Sequence, residues 1–163
     1  MRSTPWLLLA FAPSLGGCGG YHTLADTPGR IRSAAVLAFQ NRTPYTGLEF
    51  ELHEALVKEL QAKSRIAVVR ADEADGVLEG RILDFSRAVL KQGPEGQDLE
   101  FQITLTADFV LKERRTGKVL AEHQGASVSG TFLITRGETE ATARARAMSK
   151  LAERIVSMLL YRW

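Results

Sequence analysis

The chain has 163 residues with one cysteine, and its 21 lysine and arginine residues nearly balance its 19 aspartate and glutamate residues. This balance argues against a nucleic-acid-binding protein, which would carry a strongly basic surface. A single cysteine excludes an intrachain disulfide, so a hydrophobic core has to stabilise the fold, and the length suits one domain with such a core.

The N-terminal segment has the layout of a secretory signal that ends at a lipid-attachment site. Arg2 precedes an apolar run from Trp6 to Leu15, which is too short for a membrane-spanning helix of about 20 residues. Two glycines then precede Cys18, a pattern typical of the lipobox of a bacterial lipoprotein, whose cysteine is acylated. We predict a signal peptide over residues 1–17 and lipidation at Cys18. The alternative is a plain signal peptide followed by an unpaired thiol.

Residues 18–32 are predicted to form the lipidated N-terminus and a flexible tether, because the segment is rich in glycine and has little to bury. Cleavage after residue 17 removes one charged residue, Arg2, and changes the net charge from +2 to +1. Gly19 follows the cysteine where an aspartate would direct retention in the inner membrane, by resemblance to enterobacterial sorting. We therefore expect the outer membrane, with residues 33–163 forming one domain on its periplasmic side.

The first half of that domain is predicted to be strand, helix, strand. A short apolar run over Ala34–Phe39 ends at turn-forming residues, as a buried strand does. Leucine and alanine then recur on one face of a helix from about Gly47 to Lys63. Ile66–Val69 follows as a second strand. This order favours a right-handed crossover between two parallel strands.

The second half is predicted to contain three strands and a long helix. A strand over Val77–Leu90 is followed by a clear two-residue alternation over Leu99–Leu111 and by an antiparallel strand over Val119–Gly130. The last helix, over about Gly137–Leu160, follows a T-x-x-E capping box that begins at Thr135. Its predicted buried positions are Ala141, Ala145, Met148, Ala152, Ile155 and Leu159.

The predicted fold is therefore α+β, with the order β-α-β-β-β-α. It is a two-layer sandwich in which two helices pack on one face of a mixed, mostly antiparallel sheet.

No pattern in the sequence predicts catalysis, a metal site or a cofactor. His22, His53 and His123 fall in three different segments, without the partners of a metal-ligand set. The sequence contains neither a nucleophile elbow nor a phosphate-binding loop. We expect a protein that is not an enzyme.

Basic residues near the predicted strand ends could bind an anionic headgroup. Arg114 and Arg115 lie in the turn between the fourth and fifth strands, together with Lys112 and Lys118. Arg87 and Lys91 lie near the end of the third strand, and we expect them at the same edge of the sheet if the third and fourth strands are neighbours. Arginine binds phosphate with two parallel hydrogen bonds, while lysine acts as a point charge. The alternative is a solvated hairpin tip.

Several stretches of the chain resemble the LptE lipoproteins of lipopolysaccharide assembly. The matching stretches are Gly17–His22, Val36–Thr43, Gly47–Glu49, Glu73–Gly80, Arg115–Leu120 and Lys150–Val156. The resemblance implies an α/β sandwich that docks in the lumen of the β-barrel LptD and contributes to lipopolysaccharide insertion in the outer membrane. Lipopolysaccharide binding by Arg87, Lys91, Arg114 and Arg115 is our own prediction. The alternative is a subunit of another envelope assembly, similar to curli-secretion or Lpp20-type lipoproteins.

Overall fold

The computed structural model describes residues 31–161, so the predicted signal peptide, Cys18 and most of the predicted tether lie outside the described residues. Six strands and two α-helices form in this part of the chain. The elements are β1 (Ser33–Val36), β2 (Gln40–Asn41), α1 (Leu48–Lys63), β3 (Ala67–Val68), β4 (Gly76–Gln92), β5 (Asp98–Glu113), β6 (Val119–Leu133) and α2 (Glu140–Tyr161).

The strands form one open mixed sheet in the order β3-β1-β4-β5-β6, with the short β2 paired to β4. β1 lies between β3 and β4 and runs parallel to both, which confirms that the two strands joined by α1 are parallel, as predicted. β4, β5 and β6 are long antiparallel neighbours joined by hairpins. The two-residue strand β2 was not predicted, because so short a strand leaves no periodic pattern in the sequence.

Both helices cover one face of the sheet, as predicted for the α+β fold class. α1 packs against α2 and the parallel strands, and α2 packs against β5 and β6. The buried side chains of β5 are its alternate residues Phe101, Ile103, Leu105, Ala107, Phe109 and Leu111. α1 buries Leu48, Leu52, Leu56 and Leu60 on the stripe predicted from its spacing. The core that these side chains form contains no buried polar or charged residue within the described part of the chain.

The start of α2 differs from the prediction. Thr135 lies in a short 3-10 turn over Ile134–Arg136, which ends at Gly137 in a left-handed conformation with φ of 72°. The helix begins at Glu140, and the Thr139 hydroxyl accepts a hydrogen bond from the Thr142 backbone N–H at 3.2 Å. The predicted capping box at Thr135 is therefore wrong, because the turn at Gly137 separates it from the helix.

The buried face of α2 also differs in its first turns. Ala141 and Ala145 are exposed, whereas Ala143 and Ala147 are buried together with Met148 and the later apolar positions. Ala141 and Ala145 form one pair at four-residue spacing, and Ala143 and Ala147 form another on the opposite face. Hydrophobicity alone therefore does not determine which face of the helix is buried. An ion pair from Arg144 to Glu51 of α1, at 2.9 Å, joins the first turns of the two helices in the observed orientation.

No helix in residues 31–161 is both long and apolar enough to cross a bilayer.

Candidate functional site: two ends and an open face of the sheet

The predicted basic residues lie at opposite ends of the sheet. Arg87 pairs in register with Ile103 and Lys91 with Glu100, whereas Glu113, which precedes Arg114, pairs with Gly76. Ile103, the partner of Arg87, and Glu113 are ten residues apart on β5, which corresponds to about 33 Å along a strand. The expectation that the four residues share one edge is therefore wrong. The third and fourth predicted strands are neighbours, but they are antiparallel, so the end of one meets the start of the other.

The end that carries Arg87 and Lys91 is a hairpin whose loop extends past the last buried cross-strand pair, Phe101 and Phe132, and we call residues 86–100 the distal arm. Every β4 residue after Phe85 is exposed, and a tight loop over residues 93–97 connects β4 to β5. Val89 and Leu90 are 44% and 50% exposed. Ile134, which directly follows the partner of Glu100 in β6, is 51% exposed. This end therefore presents apolar and basic side chains together.

Arg87 is held in place by two contacts. Its guanidinium donates to the Glu140 carboxylate at 2.6 Å and lies 5.1 Å from the centre of the Phe101 ring. Phe101 is itself stacked on Phe132, with ring centres 5.1 Å apart. Lys91 is exposed and takes part in no ion pair within residues 31–161. The distal arm thus carries one cation that is held by two contacts and one exposed cation without an ion pair in the described residues.

At the opposite end, which we call the proximal end, two of the basic residues bind the protein itself. The Arg114 guanidinium donates to the Ala74 carbonyl at 2.7 Å, and Lys112 forms an ion pair with Glu79. Arg115 and Lys118 are exposed in the turn. Arg114 therefore has a structural partner that the sequence did not indicate.

Asp75 fixes the point at which the N-terminal segment joins the sheet. Its carboxylate accepts hydrogen bonds from the backbone N–H groups of Arg32 at 2.9 Å and Ser33 at 3.1 Å. The bond from Arg32 is the main reason that the pKa of Asp75 lies below its usual value. Beside it, a Cβ at Gly76 would lie 2.8 Å from the Ile31 side chain. We call the contact of Asp75 with the backbone of Arg32 and Ser33 the Asp75 clasp. It lies at the proximal end, since Gly76 pairs with Glu113.

The second face of the sheet is not covered by the helices and is mostly polar. β5 presents Gln102, Thr104, Thr106 and Asp108 on this face, and β6 adds Ser127, Ser129 and Thr131. The Thr106 hydroxyl donates to Ser127 at 3.0 Å, and Arg81 forms a 2.8 Å ion pair with Asp108. We call this surface the open face. The predicted polar alternation of β5 is thus confirmed.

The described residues contain no arrangement suited to a metal ion. No group of three or more histidine, cysteine, aspartate or glutamate residues with that potential occurs in residues 31–161. His123 stacks on Phe109, with ring centres 5.9 Å apart, while His53 lies on α1. A shallow groove of about 420 Å³ runs beside His123, Gly80 and Arg81. Its lining is a stretch of open sheet and not a closed pocket.

A two-helix layer on one face of an open six-stranded sheet, with a polar opposite face and a projecting hairpin, defines the structural class. The family comparison then identifies the chain. The family model for LptE, described as lipopolysaccharide-assembly, matches residues 31–159, and the chain belongs to this family. No curated protein matches the chain.

Several solved structures share the fold at low sequence identity. An uncharacterized lipoprotein B from Nitrosomonas europaea has a TM-score of 0.58 at 12% identity, covering 90% of this chain and 93% of that one. A hypothetical protein from Chlamydia trachomatis has a TM-score of 0.54 at 11% identity, covering 79% and 98%. A PelC dodecamer from Paraburkholderia phytofirmans has a TM-score of 0.50 at 16% identity, covering 76% and 86%.

Proposed function

We propose that this protein is an outer-membrane lipoprotein, acylated at Cys18, that docks in an LptD-type β-barrel and assists the assembly of lipopolysaccharide at the outer membrane. The observation that carries the proposal is membership of the lipopolysaccharide-assembly family over nearly the whole described domain. Two features of the structure support the proposal. One face of the sheet is polar, as a body inside a barrel requires, and the sheet is long enough to reach from one leaflet of the membrane to the other.

The open face supports docking in a barrel lumen. The interior of an outer-membrane barrel is polar, so a body inserted there needs hydroxyl, amide and charged groups on its surface. Thr104, Thr106 and Gln102 supply such groups at the centre of the sheet. The helices, in contrast, already cover the apolar face.

The length of the sheet supports a choice of the end that would contact lipopolysaccharide. β5 has 16 residues and spans about 53 Å, whereas the hydrocarbon core of a bilayer is about 30 Å thick. The N-terminal segment joins the sheet at the proximal end, through Asp75. A protein tethered to the inner leaflet at Cys18 and seated in a barrel would therefore place its distal arm near the outer leaflet.

The distal arm and the neighbouring Ile134 offer cationic and apolar groups to a lipopolysaccharide, beside three carboxylates, Glu95, Asp98 and Glu100. Arg87 and Lys91 can bind phosphate, while Val89, Leu90 and Ile134 offer apolar contacts for acyl chains. Arg114 and Arg115 lie at the other end, where the N-terminal segment joins the sheet. We therefore place the lipopolysaccharide contact at Arg87 and Lys91.

Binding of purified lipopolysaccharide to the full chain in mild detergent tests this contact. Lys91→Ala should weaken binding about tenfold at low salt, because a hydrogen bond to a charged phosphate is lost. Arg115→Ala is the matched control, since it removes an exposed cation of the proximal turn. Equal losses in the two variants would show that net charge, and not the distal arm, determines binding.

Affinity purification of the chain from native outer membranes tests the barrel. We expect a large β-barrel protein to be recovered together with the chain. Recovery of the lipoprotein alone from intact outer membranes would refute the docking proposal.

The lipid anchor has its own test. Metabolic labelling with a fatty-acid analogue should mark the unmodified chain and not the Cys18→Ser variant. Unchanged labelling after the substitution would refute acylation at this residue.

The alternative is a subunit of another envelope assembly of the curli-secretion or Lpp20 kind. The PelC structure, described as a dodecamer, has the same fold, so the fold alone does not separate the two functions. A homo-oligomeric ring seen by electron microscopy would favour the alternative.

A further inference from the structure

The two edges of the sheet are very different. One edge consists of β3, which has two residues, and of the part of β4 after Ile82, which β1 and β2 leave unpaired, whereas the other edge is β6, with 15 residues. No strand within residues 31–161 pairs with the outer side of β6. Half of the backbone N–H and C=O groups of an edge strand point outward and can pair with a strand of another chain.

The second part of β6 lacks the devices that usually protect an edge. A bulge interrupts the pairing near Gly125, where φ is 69°, and the ladder is regular from Ala126 to the end of the strand. Residues 126–133 contain no charged residue and no proline. Lysine, proline and bulges are the common protections of edge strands. This segment is therefore suited to strand pairing.

The segment is also complementary to itself. In an antiparallel pair centred on Ser129, the open face would bring Ser129 opposite its copy and Ser127 opposite Thr131, so that hydroxyl groups meet hydroxyl groups. On the helix face, Phe132 would lie opposite Ala126, but both side chains are already buried in their own chain, so the contacts across the pair come from the open face. Such cross-strand pairs contribute up to about 1 kcal/mol each.

We propose that β6 pairs with β6 of a second copy of this chain, forming a two-fold dimer with one continuous sheet. Pairing of β6 with the opposite edge is disfavoured, because β3 offers two residues and the unpaired part of β4 carries the charged residues Asp84, Arg87 and Lys91 and several register shifts. The contact is therefore the same on both copies and closes after two chains. The proposal concerns copies that are not engaged with another protein, and it does not depend on the proposed function.

The mass of the full chain in mild detergent, measured by light scattering with the detergent mass subtracted, tests the dimer. We expect two chains per particle for the unmodified protein. Ser129→Lys, which places like charges opposite each other at the centre of the pair, should raise the dissociation constant at least about fivefold. Ser86→Lys is the matched control, because it adds the same charge to the open face on β4, away from the edge. Both variants should keep the circular dichroism spectrum of the parent.

Particles of one chain, particles of more than two chains, or equal effects of the two lysine variants would each overturn the proposal. The register has a separate readout. Ser129→Cys should form disulfide-linked dimers on mild oxidation beyond the level of the parent chain, because directly opposed strand residues lie within disulfide distance. Thr104→Cys, on the central strand β5, should not. Equal cross-linking of both variants would contradict the paired edge.

Discussion

Gly80 is the residue at which the packing leaves the least room. A Cβ there would lie 2.3 Å from the backbone oxygen of Asp108 and 2.4 Å from the Phe39 ring. Such contacts force the backbone or the ring to move, which usually costs about 1–3 kcal/mol. The position explains why a glycine stands here in a strand, where it is otherwise unfavourable.

We predict that Gly80→Ala lowers the free energy of unfolding by at least about 2 kcal/mol. Gly130→Ala, also in a strand, is the control, because a Cβ at Gly130 meets no atom within 4 Å. Urea denaturation followed by circular dichroism measures both variants. Equal urea midpoints for the two variants would show that the close packing at Gly80 does not affect the free energy of unfolding.

Asp75 makes part of the stability depend on pH. Hydrogen bonds from the Arg32 and Ser33 backbones, with that from Arg32 the larger cause, lower the pKa of the folded carboxyl below its usual 3.8. A lowered folded pKa means that the contribution is present above the unfolded pKa and is lost as the pH falls through the folded value. The pKa values of Glu49 and Glu138 are lowered as well, so these carboxylates, like Asp75, stabilise the fold less as the pH falls.

We therefore expect the thermal midpoint to fall as the pH drops from about 5 towards 3. Asp75→Asn should be less stable at neutral pH and should show a smaller fall over the same range. A variant that keeps the full pH dependence of the parent would exclude Asp75 as a contributor.

Among the elements, those with long periodic patterns were predictable from the sequence. The alternation of β5 and the leucine stripe of α1 each indicate one face, and both faces are buried as predicted. The start of α2 was not predictable in the same way, because threonine recurs at Thr135, Thr139 and Thr142 and each can cap a helix. The choice among them depends on the turn at Gly137, which is a matter of backbone conformation.

The observed cap leads to a prediction for the helix. Thr139→Ala should lower stability by about 1 kcal/mol, since the N–H of Thr142 loses its acceptor at the helix start. Thr135→Ala should change stability by less than about 0.5 kcal/mol, as is usual for an exposed side chain. Chemical denaturation of the two variants distinguishes the observed cap from the one that the T-x-x-E pattern indicated.

The candidate surfaces were predictable in part at this scale. Arg87 and Lys91 were identified as basic residues near a strand end, but the sequence does not reveal how far a hairpin projects beyond its helices. The contact of Arg114 with Ala74 was missed because the acceptor is a backbone carbonyl, which leaves no signature in residue types. The sequence pattern Asp75–Gly76 could have indicated the clasp, since aspartate and glycine often stand where the backbone needs a local partner.

For the whole molecule, the two ends of the sheet have different roles in our account. The proximal end receives the N-terminal segment at the Asp75 clasp, and the distal arm carries exposed apolar and basic side chains at the other end of β5. The open face lies between them. A lipid-anchored protein in a barrel would use all three features at once, each at a different depth of the membrane.

Photo-cross-linking in intact cells tests this arrangement most directly. A photoreactive amino acid in place of Leu90 on the distal arm, and separately in place of Thr116 in the proximal turn, reports what surrounds each end. We expect a lipopolysaccharide adduct from position 90 and none from position 116. Adducts from position 116 alone, or equal adducts from both positions, would contradict it.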